Sequence, residues 1–373
     1  MTLSNTIRYQ LGLIGFARVT TILRLARHAP YVHPRYVWRF LIVALSSFVV
    51  LPFALCERML YGRKIAKTQL QQPPIFIIGH WRSGTTYLHN LMSQDDSFGY
   101  LSMYQALMPD CSLIGRYGFK SLVTKILPLK RPMDNVTWPM DSPQEEEIAL
   151  AKIMPDNFYN HFLFPNKSIE FFRKHVLFEE NSPRKTAEFN RKYDYLLKVA
   201  TVHAQGKPLI LKNPVNTARV SKLLELFPEA KFIHIHRSPY DVFKSLQNFR
   251  KTLMPLIALH PIDPERSEEA SFELYESMMQ QYFQDRSQIP AGNLVEVRYE
   301  TLEQDPLGEL QRIYKGLDLP GFDTAQIAFR QYIDAQKSYQ KNKLELSPTA
   351  QRKIEDRWKF AFSSLGYALN SQS

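Results

Sequence analysis

Ile75-Phe76-Ile77-Ile78-Gly79-His80-Trp81-Arg82-Ser83-Gly84-Thr85-Thr86 is the stretch that decides how this chain folds. The apolar run at 75–78 predicts a short buried strand, and the loop after it opens a helix from Tyr87 to Leu91. The spacing comes within one residue of the phosphate loop G-x-x-x-x-G-K-[ST], with Thr85 where that motif has lysine. A cation stands inside the loop instead, at Arg82. Backbone N–H groups at a helix N-terminus bind an anion in either arrangement. The displaced cation predicts an anion other than the β- and γ-phosphates of ATP.

Working outward, Leu209–Lys212, Lys231–His236 and Leu294–Arg298 repeat the buried-strand pattern, with helices predicted over about 217–227 and 241–250. Strands alternating with helices predict an α/β fold, a P-loop-like parallel sheet flanked by helices. Ligands of such sheets bind beyond the carboxyl ends of the strands. Arg82, Lys212, Arg237 and Arg298 each end or follow a strand, so the fold can gather them at one rim. In the long insertion at 95–205, Ser142-Pro143-Gln144-Glu145 reads as a helix start with a capping box closed by Glu145. A last helix is predicted over about 348–364.

The pattern Arg-Ser-Gly-Thr-Thr after an apolar strand resembles the 5′-phosphosulfate loop of sulfotransferases that use 3′-phosphoadenosine-5′-phosphosulfate (PAPS). In that family an Arg at a strand end and a Ser eight residues later hold the donor's 3′-phosphate; Arg237 and Ser245 match this spacing. The resemblance covers about residues 73–370 and is nearest to a bacterial-type group, which also carries segments like Arg131–Val136 and Pro143–Glu147. It implies PAPS as co-substrate, bound by Arg82, Ser83, Gly84, Thr85, Thr86, Tyr87, Arg237, Ser245 and Tyr299. The backbone N–H groups from Ser83 to Thr86 would take the 5′-phosphate. Arg82 and Lys212 would sit beside the leaving group, where negative charge grows as the nucleotide departs. A late basic loop closes over the donor in many sulfotransferases, and residues 336–347, with Lys337, Lys341 and Lys343, are placed for it or for a solvated surface.

The general base is a departure from the family. The cytosolic enzymes have a His two residues after the matching Lys, and here Asn213-Pro214 follows Lys212. The tyrosylprotein enzymes use a Glu shortly after the first helix; between Arg82 and Lys130 the only acids are Asp95, Asp96 and Asp110. Glu146 and His80 remain as candidates. Tyr100, Tyr104, Trp138, Phe158, Tyr159, Phe162, Phe164, Phe171 and Phe172 either line an acceptor pocket or form ordinary core. The sequence shows no Walker B strand and no Cys/His cluster at ligand spacing, so no metal is expected. Two other readings stay open, a kinase-like phosphotransferase and a membrane-bound P-loop nucleotide-binding regulator.

The chain has 373 residues and a formal charge of +11. Ten Lys and Arg against the single acid Glu57 fall within residues 1–70, so the basicity belongs to the N-terminus and the remainder is nearly neutral. That distribution speaks against a nucleic-acid partner. Residues 6–28 read as a basic amphipathic helix, and Phe40–Cys56 is a charge-free apolar run that can lie on a membrane or span it. Residues 1–70 are therefore expected to be a helical membrane-associating appendage and 71–373 the sulfotransferase domain. The chain would sit at the cytoplasmic face of a membrane or, alternatively, cross once with a lumenal catalytic domain. The acceptor would be a lipid, a glycolipid or another hydroxylated or amine-bearing molecule. Cys56 and Cys111 make no disulfide framework. Asn135-Val136-Thr137 and Asn166-Lys167-Ser168 match the glycosylation sequon.

Overall fold

The computed structural model describes residues 3–13, 15–28, 32–116, 118–126, 139–337 and 345–370. Arg131–Val136, the sequon at Asn135, Trp138, Lys341 and Lys343 lie outside them. The chain divides into two compact units, one of residues 1–72, 99–209 and 251–267, the other of residues 73–98, 210–250 and 268–373.

The second unit holds the predicted parallel sheet, β1 (Ile75–Ile78), β2 (Ile210–Lys212), β3 (Lys231–His236) and β4 (Leu294–Arg298), in the order β2-β1-β3-β4. Every residue of β1 is buried, as its unbroken apolar run requires of a strand covered on both faces. Pairing aligns Ile77 with Lys212 on one side and Ile78 with His234 on the other, while His236 aligns with Arg298. The chain leaves β1 for a neighbour on one side and then returns to the other side. The carboxyl end of β1 is therefore a topological switch point, where sheets of this kind bind ligands. Ile77, Ile233, Ile235, Val297, Leu88 and Leu91 are fully buried around these strands.

Several boundaries differ from the sequence reading. The helix expected over 217–227 is a short turn of 3₁₀ helix at Pro214–Ala218 followed by a helix at Val220–Leu226. The insertion helix begins at Glu146, with Glu145 at its N-cap, so the expected capping box is not formed. Ser142 donates instead to the Pro139 carbonyl, and Glu145 accepts from the Tyr159 hydroxyl. The last helix, Pro348–Leu365, does have its Ser347 cap, which accepts from the Ala350 N–H.

In the first unit, the helix expected over 6–28 is two helices, Leu3–Leu13 and Val19–His28. Phe16 takes a φ of 63°, and a side chain on Gly15 would come within 2.6 Å of Leu11 Cα, so the chain turns there. Phe40–Cys56 is part of one helix, Val37–Lys67, of 31 residues. By length and composition this helix can cross a membrane. One of its faces is tied to protein. Arg39 donates to the carbonyls of Pro255 and Ala258, and the Ser46 hydroxyl accepts from the Phe16 N–H at 2.9 Å. Glu57 is 1% exposed and accepts from the N–H groups of Leu113 (2.8 Å) and Ile114 (3.0 Å), which opens the short helix Ser112–Gly115. The opposite face carries exposed Leu41, Leu45, Phe48, Val49, Met59 and Leu60. Of the insertion aromatics, Tyr104, Phe158, Tyr159, Phe162, Phe164 and Phe172 are core. Both cysteines are free.

Burial pushes the Glu57 carboxyl up to about 7. The folded chain therefore holds this proton more tightly than the unfolded chain, and the contribution of Glu57 to stability falls as pH rises from about 4.5 to about 7. Glu57→Gln keeps an acceptor for the two N–H groups and removes the titration. In thermal melts its Tm, relative to wild type, should rise across that pH window and stay level above it. Glu57→Ala strands two N–H groups and should cost about 1–3 kcal/mol. An identical pH dependence in wild type and Glu57→Gln would show that Glu57 does not titrate there.

Candidate active site

The loop after β1 is held open by specific contacts. Gly79 takes a φ of 145°, its N–H donates to the Thr217 hydroxyl at 2.7 Å, and a side chain there would come within 2.1 Å of the Ile235 carbonyl. The Ser83 hydroxyl donates to the carbonyls of His80 (2.7 Å) and Ile235 (3.0 Å), and the Ser83 N–H donates to His80 at 3.2 Å. The Ser83 N–H is thus engaged within the loop's own turn. The helix that follows is Thr85–Met92, with Gly84 at its N-cap and no side-chain cap. Its first N–H groups are those that a helix leaves without intrahelical partners. Thr85 is buried and Thr86 half-buried at this end.

Four predicted donor residues meet beside that loop. Arg82 takes a left-handed φ of 72° and its Nε donates to the Ser245 hydroxyl at 2.8 Å. Ser245 lies on the helix Pro239–Ile257, which follows β3. The Arg237 guanidinium lies 4.6 Å from the centroid of the Tyr299 ring, within cation–π range, and pairs with Asp241 at 3.6 Å. Tyr299 in turn covers the loop, for a side chain on Gly84 would come within 2.2 Å of its ring. Tyr87 packs against the core beneath, with its hydroxyl pushed up to about 12, chiefly by burial.

Lys212, at the end of β2, is 1% exposed. Asn213, where the cytosolic enzymes would come within one residue of their His, caps the 3₁₀ turn by accepting from the Val215 N–H at 3.2 Å. Arg298, also expected at the rim, lies 4.2 Å from the Tyr367 ring and pairs with Glu300 at 3.5 Å. Lys337 pairs with Asp334.

His80 is 2% exposed, directly after β1. Its Nδ1 lies 2.9 Å from the Trp81 carbonyl, which can only accept, so the proton sits on Nδ1 and Nε2 keeps its lone pair. Nε2 is buried with no hydrogen bond, and the ring meets Tyr275 edge-on at 4.9 Å. Burial lowers the imidazole to about 4, so it is neutral at pH 7. Glu146 belongs to the first unit, fully buried, where its Oε2 accepts from Tyr193 at 3.4 Å. Two of the other acids near the loop in sequence have structural partners. Asp95 accepts from Tyr314 at 2.7 Å and from the Ser97 N–H, while Asp110 pairs with Arg18. Thr217 and Tyr275 escaped the sequence reading, since no spacing rule links them to the loop.

A model of the sulfotransferase family matches residues 73–324, well over half of the chain. The omega-hydroxy-beta-dihydromenaquinone-9 sulfotransferases Stf3 of Mycobacterium bovis and Mycobacterium tuberculosis are each 30% identical to it over 332 residues, 88% of this chain and 84% of theirs. The crystal structure of sulfotransferase STF9 from Mycobacterium avium shares the fold with a TM-score of 0.71 at 17% identity, covering 93% of this chain and 90% of that one. Sulfotransferase STF1 from Mycobacterium tuberculosis H37Rv gives a TM-score of 0.60 at 15% identity, covering 95% and 92%. The chain belongs to the sulfotransferase family and is an enzyme of sulfuryl transfer.

Proposed function

We propose that this enzyme takes its sulfuryl group from PAPS and delivers it to a hydroxyl of a membrane lipid. The observation that carries the donor assignment is the meeting of two cations at one loop, Arg82 on Ser245 and Arg237 over Tyr299. Arg237 Nε is buried with no hydrogen bond. A 3′-phosphate would satisfy it and receive a charge-assisted fork. PAPS, the general donor of this family, supplies an activated sulfuryl group. The N–H groups of Gly84, Thr85 and Thr86 would hold its 5′-phosphate, with the threonine hydroxyls as further donors.

As the acceptor oxygen bonds to sulfur, the bond from sulfur to the phosphate oxygen breaks and that oxygen gains negative charge. Arg82 and Lys212 are the cations assigned to it. The proton of the acceptor hydroxyl needs a base. His80 is better supported than Glu146, because it follows β1 directly and presents an unoccupied lone pair at Nε2. An anionic donor bound nearby would raise its basicity. Membership of the family leaves the phosphotransferase and regulator readings without support.

The acceptor reading rests on two observations. The Stf3 relatives act, by their name, on a hydroxylated dihydromenaquinone. The Val37–Lys67 helix exposes a continuous apolar face on an N-terminal segment that carries ten of the chain's cations. Because its other face is bound to protein through Arg39, Ser46 and Glu57, this helix lies in the membrane interface instead of crossing it. The anionic cytoplasmic leaflet fits the charge.

Adenosine 3′,5′-bisphosphate should raise Tm in a thermal-shift titration well above ADP at equal concentration, and Arg237→Ala should abolish the difference. Equal stabilisation by ADP would remove the 3′-phosphate site.

Arg82→Ala and Lys212→Ala should each lower kcat by about 10²–10³, with a smaller change in donor affinity, and activity should survive EDTA. The pH profile of kcat/KM in wild type should be flat above neutrality and fall on the acid side with an apparent pKa below the ordinary histidine value of about 6.5. His80→Asn should erase that acid limb and Glu146→Gln should retain it; the reverse outcome would make Glu146 the base.

Membrane fractions of the full-length chain should release it on a high-salt wash, since exposed charge attraction is screened over about 8 Å at physiological ionic strength. Release by detergent alone would mean that the helix spans.

A further inference from the structure

A cavity of about 630 Å³ lies wholly within the first unit, beside the Val37–Lys67 helix. Its lining runs from Ser47 to Ala66, about 28 Å of helix at 1.5 Å per residue. The volume falls within the range of about 300–1,000 Å³ typical of ligand pockets. Along the helix the lining changes character, from Val50, Leu51, Ala54 and Leu55 to Glu57 and Arg58. The facing helix, Pro183–His203, adds Lys192 and Lys198.

Two features show that the cavity is built and not left over. Gly62 lines it in the interior of a helix, where glycine is disfavoured. No contact demands that glycine, since a side chain there would meet only Arg58 Cγ at 3.8 Å. Its missing side chain keeps the space open. Glu57 also lines the cavity, and while its Oε2 takes both backbone N–H groups, its Oε1 is buried with no partner.

Charge indicates the occupant. Arg18 is paired with Asp110, and Lys198 with Asp194 at 2.9 Å. Arg58 and Lys192 form no ion pair among the described residues, and the four cations of the lining outnumber its three acids, Glu57, Asp110 and Asp194, so the polar half carries a net positive charge. Leu51 and Leu55 line the cavity and are also 40% and 53% exposed, which joins the cavity to the apolar outer face of the helix.

We propose that this cavity holds one anionic phospholipid taken from the bilayer surface, with its acyl chain along Val50–Leu55 and its phosphate at Arg58 and Lys192. Glu57 Oε1 hydrogen-bonds to the glycerol part of the headgroup. The site goes beyond sulfuryl transfer and rests on the membrane placement of the first unit, not on the donor assignment.

The test uses the full-length protein in a neutral maltoside detergent, titrated with lysophosphatidylglycerol and, for comparison, with lysophosphatidylcholine of the same chain length. Native mass spectrometry should find one lysophosphatidylglycerol per chain, saturable and favoured over the zwitterionic lipid. Lys192→Gln and Arg58→Gln should each weaken binding about fivefold, as expected for one cation near an anionic headgroup. Gly62→Phe should abolish binding while leaving Tm unchanged or higher, and Ala54→Leu, which narrows the same space, serves if that variant does not fold. Binding of adenosine 3′,5′-bisphosphate should be the same in all of these variants, so the failure of either site is seen separately. Equal binding of the two lipids would overturn the phosphate assignment. Uptake that does not saturate, or that survives Gly62→Phe and Ala54→Leu, would show adsorption to the outer face and not occupancy of the cavity.

Discussion

The close approach of the loop after β1 to the end of β3 is the constraint on which the rim at the carboxyl ends of the strands depends. The Ser83 hydroxyl bonds to the Ile235 carbonyl, and Gly79 passes so near that carbonyl that no side chain fits. Parallel pairing of β1 with β3 brings the two strand ends side by side. The loop then turns sharply at Arg82, whose left-handed backbone is tolerated because Ser83 and Gly79 fix the residues around it. From that turn the Arg82 side chain reaches Ser245 on the next helix. Without the register of β1 and β3, Arg82, Arg237 and Tyr299 would have no common meeting point.

Burial then sorts the titratable groups near this rim. His80 and His89 are lowered to about 4 and about 3 by desolvation, with Lys212 adding to the effect at His89. Both rings are therefore neutral under ordinary conditions, and positive charge at the rim rests on arginine and lysine. Cations suit the proposed role of this rim, holding phosphates and stabilising a departing oxyanion. A neutral imidazole with a free lone pair suits proton transfer instead. Lys212 and His80 are buried to the same degree, so it is the kind of side chain, and not its depth, that sets the two apart.

The first unit solves a different problem. Its long helix has to bond polar groups on one face and leave an apolar face outside. Arg39, Ser46 and Glu57 do the first, each through backbone partners from distant segments. A helix with such a bonded face is part of a folded body, and its exposed leucines and Phe48 form an apolar outer surface, the one proposed to meet a lipid phase. The cavity beside it continues that apolar surface inward, toward Arg58 and Lys192.

The sequence by itself determined the sheet and the position of the loop, and it nominated the donor residues, because each is written in local chemistry. Unbroken apolar runs mark buried strands, and β1, β3 and β4 fall on the residues expected. Glycines and threonines at fixed offsets mark a phosphate loop. What the tertiary structure alone decided is what each group bonds to. Ser142 and Glu145 look like a capping box but find partners in Pro139 and Tyr159. The N-terminal helix breaks at Gly15 and Phe16, where apolar periodicity gives no warning. The Ser83 N–H turns into its own loop, Glu57 caps a helix 56 residues away in sequence, and His80 acquires its tautomer from the Trp81 carbonyl. Apolar burial is non-directional and survives as a pattern along the chain. Hydrogen bonds and charges depend on distance and angle between segments remote in sequence, and these exist only once the chain is folded.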